Sequence, residues 1–146
     1  MAIEKKATVH WEGRGKHGKG QISTETGALS SYPYGFASRF EGDKRGTNPE
    51  EILGAAHAAC FAMAMNAALG KKGGKAAKTH VTATVSADKG DSGIKIVSSK
   101  LKVVVEGLEG MSPAEFATFV KEADKGCPVS NAYRGTMQIE VEGSAR

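Results

Sequence analysis

The sequence predicts an α+β fold from the order of its elements. Two strand-like segments open the chain, a long apolar helix follows, and two strands, two helices and a last strand complete it. Strands and helices therefore do not alternate one by one, which disfavours a doubly wound parallel sheet. A length of 146 residues with 40% hydrophobic content predicts one compact domain over residues 1–146.

The N-terminal part predicts two paired strands and a long loop. Apolar and polar residues alternate over residues 7–11, which is the period-two pattern of a half-buried strand. A glycine-rich turn over 13–20 leads to a second strand over 21–25. Residues 26–46 show little periodicity, so we expect a long loop, and its aromatic content indicates a functional one.

A central helix is predicted from Pro49 to about Leu69. Asn48 suits the capping position, Glu51 completes a capping-box pattern, and Gly70 ends the helix. The segment is slightly short for a membrane span and carries polar residues, which favours a buried helix. Because it is apolar nearly all round, we expect a second copy of the chain to help enclose it.

The strands of the second half are predicted from alternation over 81–87 and 94–105. The apolar phase changes near Val97, where a β-bulge would restore the facing of the strand. A last strand is predicted around 137–141, and we expect residues 143–146 to fray.

Two further helices are predicted between these strands. Ser112 followed by Pro113 opens the first by the same capping logic, and Gly126 ends it. Cys127 precedes Pro128, which predicts the start of a short helix. The apolar face of the longer helix contains Phe116, Phe119, Val120 and Ala123.

Composition narrows the possible functions. The net charge of +4 comes from scattered lysines with few aromatic residues between them, which disfavours nucleic-acid binding. The N-terminus has no secretory pattern, so we expect a cytoplasmic protein with no membrane partner. Paired cysteines in the cytoplasm are usually redox-active or metal-binding. His57 lies near Cys60, but the other histidines lack ligand spacing, which disfavours a metal site and favours a packed His57 with one satisfied nitrogen.

Cys60 and Cys127 are the candidate reactive groups. Cys60 lies inside the long helix, where an unpaired cysteine often serves packing alone. Cys127 is predicted at a helix N-cap, where backbone N–H groups favour a thiolate, although a capping thiol without a partner is also consistent. Cys60 is too far from its own helix start to gain from the helix dipole, so a thiolate there needs a nearby cation.

Arg39 is the best candidate for that cation. Arginine stays charged when desolvated and donates several hydrogen bonds. Glu50 lies ten residues before Cys60, close to three helical turns, and its carboxylate could orient Arg39. A surface arginine resting on Phe36 or Phe40, and a glutamate that only stabilises the helix start, remain alternatives.

These motifs resemble the OsmC/Ohr family of bacterial hydroperoxide-detoxifying proteins, and within it the OsmC (osmotically inducible protein C) branch. The resemblance covers essentially the whole chain, and the cysteine motifs are its most specific part. The strongest matches are Arg39-Phe40-Glu41-Gly42, Gly46-Thr-Asn-Pro-Glu-Glu51, Gly54-Ala-Ala-His-Ala-Ala-Cys-Phe61 and Gly126-Cys-Pro-Val-Ser130.

The resemblance implies an intertwined homodimer with strands wrapped around long central helices and two active sites at the subunit interface. It implies that Cys60 is the peroxidatic cysteine and Cys127 the resolving cysteine. It further implies that Arg39 steadies the Cys60 thiolate and that Glu50 orients Arg39.

The function expected from this resemblance is thiol-dependent reduction of hydroperoxides in oxidative or osmotic stress defence. Cys60 becomes a sulfenic acid, Cys127 closes a disulfide with it, and an external dithiol or dithiol-bearing protein reduces that disulfide. No organic cofactor or metal is required. Organic hydroperoxides are expected to be preferred over hydrogen peroxide, because apolar residues are expected to line the pocket: Tyr34, Phe36, Phe40 and Met63.

Two alternatives remain. A non-enzymatic protein on the same fold would bind an apolar ligand without consuming peroxide. A general thiol–disulfide oxidoreductase is disfavoured because the sequence contains no Cys-x-x-Cys motif.

Overall fold

A computed structural model describes all residues from Met1 to Arg146 and confirms the α+β class. It contains two three-stranded sheets and four α-helices. The chain divides into two compact units, Met1–Ile52 and Leu53–Arg146. The first unit holds the smaller sheet, and the second holds the larger sheet with most of the helical residues.

The first unit is an antiparallel sheet in the order β1-β2-β3. Strands β1 (Ala7–Glu12) and β2 (Lys19–Thr24) confirm the two predicted strands, with the second beginning two residues earlier. The predicted loop is wrong in part, because it contains strand β3 (Tyr32–Tyr34) and helix α1 (Phe36–Phe40). Three and five residues are too few to display a periodic pattern, and β3 forms by pairing with β2.

Helix α2 (Pro49–Lys71) begins in the first unit and continues through the second. Its start is capped as predicted, because the side-chain oxygen of Asn48 accepts from the Glu51 N–H at 2.8 Å. The reciprocal half of the predicted capping box is wrong. The Glu51 carboxylate instead accepts from the Thr47 hydroxyl at 2.6 Å, which ties the preceding residue to the helix.

Helix α2 is not enclosed on most sides within the single chain. One stripe is buried, while the opposite face is open and Met63 is 77% exposed. Its most apolar eighteen-residue window has a mean hydropathy of 1.6, with 28% of that window buried, so length and composition alone would permit a membrane span. The buried stripe consists of Gly54, His57, Phe61, Met65 and Leu69.

The second sheet has the order β4-β5-β6. Strands β4 (Lys78–Gly90) and β5 (Gly93–Glu106) form an antiparallel hairpin, and β6 (Gln138–Ala145) lies parallel to β5. The predicted bulge is confirmed, because the register skips Val97 on β5. The predicted fraying of the C-terminus is wrong, since β6 pairs with β5 up to Ala145.

Helices α3 (Pro113–Ala123) and α4 (Pro128–Tyr133) connect β5 to β6. The capping box at the start of α3 is complete, with the Ser112 hydroxyl accepting at 3.1 Å and the Glu115 carboxylate accepting at 2.7 Å. The predicted apolar face of α3 is buried. It packs with the buried stripe of α2 and with β5 into one hydrophobic core, which also contains Cys127.

Candidate functional site

In the first unit, Arg39 and Glu50 form a bidentate ion pair. The Arg39 Nη2 lies 2.6 Å from Glu50 Oε1, and its Nε lies 3.1 Å from Oε2. Burial would raise the pKa of the Glu50 carboxyl, but hydrogen bonds from Arg39 and the backbone, with the arginine charge, hold that pKa below its ordinary value. The Glu50 carboxyl is therefore ionised at neutral pH, and its two contacts fix the arginine side chain.

An aromatic residue, Phe40, stacks against this arginine. The Arg39 guanidinium carbon lies 5.2 Å from the centre of the Phe40 ring, in cation–π geometry. Phe40 contacts Phe36 with ring centres 5.0 Å apart. Phe36 and Tyr34 line a cavity of about 520 Å³ in the same unit. The fourth expected pocket residue, Met63, lies on the exposed face of α2 in the second unit.

In the second unit, Cys60 and Cys127 are brought together. Cys60 lies on α2, is partly buried and packs against the core cluster that includes Cys127. Burial raises the pKa of the Cys60 thiol, the Val129 backbone N–H opposes that effect, and the adjacent Cys127 thiol raises it further. Both cysteines are free thiols in this structure, and their proximity makes disulfide formation between them feasible.

Cys127 occupies the predicted N-cap of α4. Its sulfur is fully buried and accepts from the Ser130 backbone N–H at 3.5 Å. Pro128 at the first helical position lacks an N–H of its own, so the first turn directs few other donors at the sulfur. The sulfur thus serves as the capping group of this short helix.

His57 makes two buried contacts that were not predicted from the sequence. The expectation of one satisfied ring nitrogen is wrong, because Nδ1 lies 2.6 Å from Ser99 Oγ and Nε2 lies 2.6 Å from Ser130 Oγ. All three side chains are fully buried. The available signal was the position of His57 one helical turn before Cys60, but its partners are distant in the sequence.

Tyr133 closes the cluster around the cysteines. Its hydroxyl donates to the Leu53 carbonyl on α2 at 2.9 Å, and its ring meets the His57 ring edge-on at 5.2 Å. Burial raises the pKa of Tyr133, and negative charge on the nearby Cys127 and Cys60 sulfurs raises it further. Helix α4 is therefore fastened to α2 at two points around the thiol pair.

No group of three or more histidine, cysteine, aspartate or glutamate side chains is arranged to hold a metal ion. Each unit thus contains one arrangement of reactive or charged side chains. One is the carboxylate-held arginine of the first unit, and the other is the thiol pair of the second. Contact between Arg39 and the Cys60 thiolate stays a prediction.

Comparison with known proteins gives the family. The model of the family described as OsmC-like protein matches residues 41–142. Peroxiredoxin OsmC of Escherichia coli (strain K12) is 46% identical over 142 residues, which cover 97% of this chain and 98% of the relative.

Two solved structures share the fold over nearly their full lengths. The crystal structure of an organic hydroperoxide resistance protein OsmC from Legionella pneumophila has a TM-score of 0.77 at 25% identity and covers 99% of this chain and 98% of its own. That of the organic hydroperoxide resistance protein OhrB of Bacillus subtilis has a TM-score of 0.73 at 26% identity, covering 95% and 98%. With the family model and the 46% identical relative, these likenesses establish that the chain belongs to the OsmC-like protein family.

Proposed function

We propose that this protein is a cysteine-based peroxidase that reduces organic hydroperoxides through Cys60 and Cys127. The observation that carries the proposal is the contact of these two thiols in one buried cluster. A relative named peroxiredoxin at 46% identity supports the same activity. The chain functions as one OsmC-like domain in defence against oxidative and osmotic stress.

The first step requires the thiolate of Cys60. Within the second unit, burial and the neighbouring thiol disfavour that thiolate, and the Val129 N–H offsets only part of their effect. A cation is therefore needed, and Arg39 supplies it. Its guanidinium is fixed by Glu50 through Nε and Nη2, while Nη1 makes no hydrogen bond and is free to donate to an anion.

The proposed catalytic cycle begins at Cys60. The Cys60 thiolate attacks the distal peroxide oxygen, the O–O bond breaks, and the alkoxide leaves as an alcohol after gaining a proton. Cys60 is then a sulfenic acid. The Cys127 sulfur attacks it, forming the disulfide and releasing the hydroxyl as water with the thiol proton. An external dithiol or dithiol-bearing protein reduces the disulfide and restores both thiols, with no bound cofactor.

The substrate preference rests on apolar contact. Burying an alkyl or aryl group stabilises binding by about 25 cal/mol per Å² of apolar surface removed from water, a gain that hydrogen peroxide cannot make. Tyr34 and Phe36 line one cavity and Phe40 packs against Phe36, which supports an apolar substrate site, and we assign Met63 to the same pocket in the assembled protein. Hydrogen peroxide is therefore the weaker substrate.

The assembled protein is an intertwined cytoplasmic homodimer with its active sites at the subunit interface. The open apolar face of α2 supports this assembly, because an apolar helix left exposed to water is unfavourable. A second copy of α2 is a matching apolar partner for that face, as the symmetry of a two-fold dimer requires.

Intact-mass spectrometry with one equivalent of cumene hydroperoxide tests the proposed chemistry. The fully reduced wild-type protein is expected to lose two hydrogen atoms as the disulfide forms. Cys127→Ser is expected to gain one oxygen atom, because the sulfenic acid has no resolving thiol. Cys60→Ser is the matched control and is expected to keep its mass.

Each alternative gives a different result. If neither wild type nor Cys127→Ser changes in mass, and the protein binds an apolar ligand, a non-enzymatic binding protein is the better explanation. If wild type gains an oxygen atom and loses no hydrogen, Cys127 is not the resolving cysteine. Equal turnover of hydrogen peroxide and cumene hydroperoxide would contradict the substrate preference.

A further inference from the structure

Three fully buried polar side chains form a continuous hydrogen-bonded series next to Cys127. Ser99 on β5, His57 on α2 and Ser130 on α4 are each 0% exposed, and both hydrogen bonds are 2.6 Å long. These hydrogen bonds therefore join three elements of the second unit, β5, α2 and α4, through a single imidazole ring.

The hydrogen-bonded series Ser99–His57–Ser130 ends next to Cys127, the cysteine that we assign as resolving. The backbone N–H of Ser130 donates to Cys127 Sγ, so the residue fixed by His57 also contacts the sulfur. His57 lies three residues before Cys60, and side chains at this spacing share a helical face. The imidazole thus connects the helix that carries one thiol to the turn that carries the other.

We propose that His57 is a positioning residue that, through Ser130, holds the Cys127 sulfur in place for disulfide closure with Cys60. The proposal rests on the peroxidase function proposed above and adds to it a residue that serves the second step only. Ser99 acts behind His57 by fixing the orientation of the ring.

Packing alone does not explain three polar groups at this position. A leucine of similar size would fill the space of His57 without requiring two buried hydroxyl partners. Buried polar groups are unfavourable unless satisfied, whereas a fully satisfied chain restricts a core to one arrangement. A neutral imidazole donates from one nitrogen and accepts at the other, and serine hydroxyls rotate to suit either tautomer.

The ionisation state of His57 agrees with this role. Burial lowers the pKa of His57, the Asp124 charge opposes that shift, and the Arg134 charge adds to it. Asp124 and Arg134 form an ion pair at 2.9 Å that joins the two ends of the α4 segment. The imidazole is therefore neutral at physiological pH and can satisfy both serines at once.

Disulfide closure is sensitive to the position of the attacking sulfur. The Cys127–Cys60 S–S bond forms as the sulfenic S–O bond breaks, and the hydroxyl leaves as water with the Cys127 proton. His57 neither gives nor takes a proton in this step. Displacement of a reacting atom by about 1 Å can slow a reaction roughly 100-fold, so release of the turn should affect closure directly.

The test separates the two steps in a single turnover. Reduced protein is mixed with one equivalent of cumene hydroperoxide and quenched at intervals, and intact mass gives the sulfenic acid and disulfide populations. In His57→Leu and Ser130→Ala, sulfenic acid formation is expected to keep its wild-type rate. Disulfide closure is expected to slow roughly 10- to 100-fold, so that the sulfenic acid accumulates.

Two further variants complete the design. Ser98→Ala is the matched control, because Ser98 is the buried neighbour of Ser99 but makes no side-chain hydrogen bond. His57→Gln is expected to regain part of the closure rate, since its amide can donate and accept. Ser130→Ala retains the backbone N–H that contacts Cys127, so it remains informative if His57→Leu folds poorly.

The outcomes distinguish this proposal from the proposed function. If wild type forms no disulfide, the peroxidase function fails. If wild type closes the disulfide and the His57 and Ser130 variants close it equally fast, the positioning role alone is overturned. Equal slowing of both steps in Ser130→Ala would also overturn it, because that result indicates general loss of structure.

Discussion

Arg39 is held by Glu50 through one edge of its guanidinium group. The contacts join Nη2 to Oε1 at 2.6 Å and Nε to Oε2 at 3.1 Å, so the carboxylate engages two nitrogen atoms in one plane. The opposite edge, including Nη1, makes no hydrogen bond. A guanidinium fixed in this way presents charge in a defined direction, which a flexible ammonium cannot reproduce.

The first prediction concerns this geometry. Arg39→Lys keeps the charge but loses the planar two-point contact, so the rate of Cys60 oxidation by cumene hydroperoxide should fall roughly 10- to 100-fold. Stopped-flow or quenched mass measurements under single-turnover conditions provide that rate.

Arg45→Lys is the matched control for Arg39→Lys. Arg45 forms a similar two-point pair with Asp43, but its side chain is 90% exposed. Its replacement should leave the oxidation rate within twofold of wild type. A rate loss equal in both variants would refute a specific role for Arg39.

The second prediction concerns pH. The folded chain holds the pKa of Glu50 below its ordinary value of 4.5, so the folded state binds fewer protons than the unfolded state near that pH. The resulting stabilisation is complete above pH 4.5 and is lost as pH falls through the folded pKa. Glu50→Gln should therefore lower the urea midpoint at pH 7, and its difference from wild type should shrink progressively below pH 4.5.

Glu115→Gln distinguishes the ion-pair contribution at Glu50 from stabilisation by hydrogen bonds alone. Hydrogen bonds from Ser112 also lower the pKa of Glu115, but no arginine is involved. The difference in urea midpoint between Glu115→Gln and wild type should therefore change only slightly in 1 M NaCl. The difference caused by Glu50→Gln should shrink, because salt screens an ion pair. A Glu50→Gln difference that stays constant from pH 7 to pH 3 would contradict the prediction.

The third prediction concerns the exposed face of α2. Ala59 lies on that face, and Ala59→Glu would place a charge against the apolar face of a second copy. Wild type should behave as a dimer of 15.2 kDa chains in sedimentation equilibrium. Ala59→Glu should weaken the dimer at least tenfold, which corresponds to about 1.4 kcal/mol.

Ala114→Glu is the control for the dimer experiment. Ala114 is an exposed alanine in the first turn of α3, where an added carboxylate is favourable to the helix. This variant should sediment like wild type. A wild-type protein that is monomeric at micromolar concentration would contradict the proposed dimer.

The fourth prediction concerns the packing of β6 against α3. A methyl group added at Gly143 would lie 2.8 Å from both side-chain methyls of Val120 and 3.2 Å from the Phe116 ring. Gly143→Ala should therefore lower the free energy of unfolding by about 1–3 kcal/mol, measured by urea denaturation. Gly70→Ala has open space around its added methyl group and should be neutral or slightly stabilising.

A double variant distinguishes crowding from a backbone effect at Gly143. Val120→Ala removes the two methyl groups that the new side chain meets. Its loss of stability and that of Gly143→Ala should therefore not add, and the double variant should be more stable than their sum predicts. Strict additivity would indicate that the strand conformation, rather than Val120, causes the loss.

Local signals predicted much of the fold. The Asn48 cap, the bulge at Val97 and the N-cap position of Cys127 each depend on neighbouring residues, and all three are confirmed. Strand β3 and helix α1 were missed because elements of three and five residues carry no periodicity. The end of β6 was misjudged because its pairing with β5 is a long-range contact.

In the candidate site, too, local signals were predictable and long-range contacts were not. The pairing of Arg39 with Glu50 was expected, and the structure contains it. A Cys60–Cys127 disulfide was implied by the family resemblance, whereas the packing of the two free thiols in one cluster is known from the structure alone. The partners of His57 were not predicted, because Ser99 and Ser130 lie 42 and 73 residues away in the sequence. Nothing in the local pattern of an alanine-rich helix indicates that two distant hydroxyls converge on one ring.

The proximity of Cys60 and Cys127 also has a thermodynamic consequence. Their disulfide would close a covalent loop of about 67 residues containing β4, β5 and α3. In the chain-entropy model, closing a loop of that length lowers the entropy of the unfolded chain and so stabilises the folded state by roughly 4 kcal/mol. Folding and oxidation are then reciprocally linked, so the folded protein favours the disulfide by the same amount that the disulfide favours folding. Reduction of that disulfide would therefore be less favourable in the folded protein than in the unfolded chain, and the disulfide-bonded form would be the more heat-resistant one.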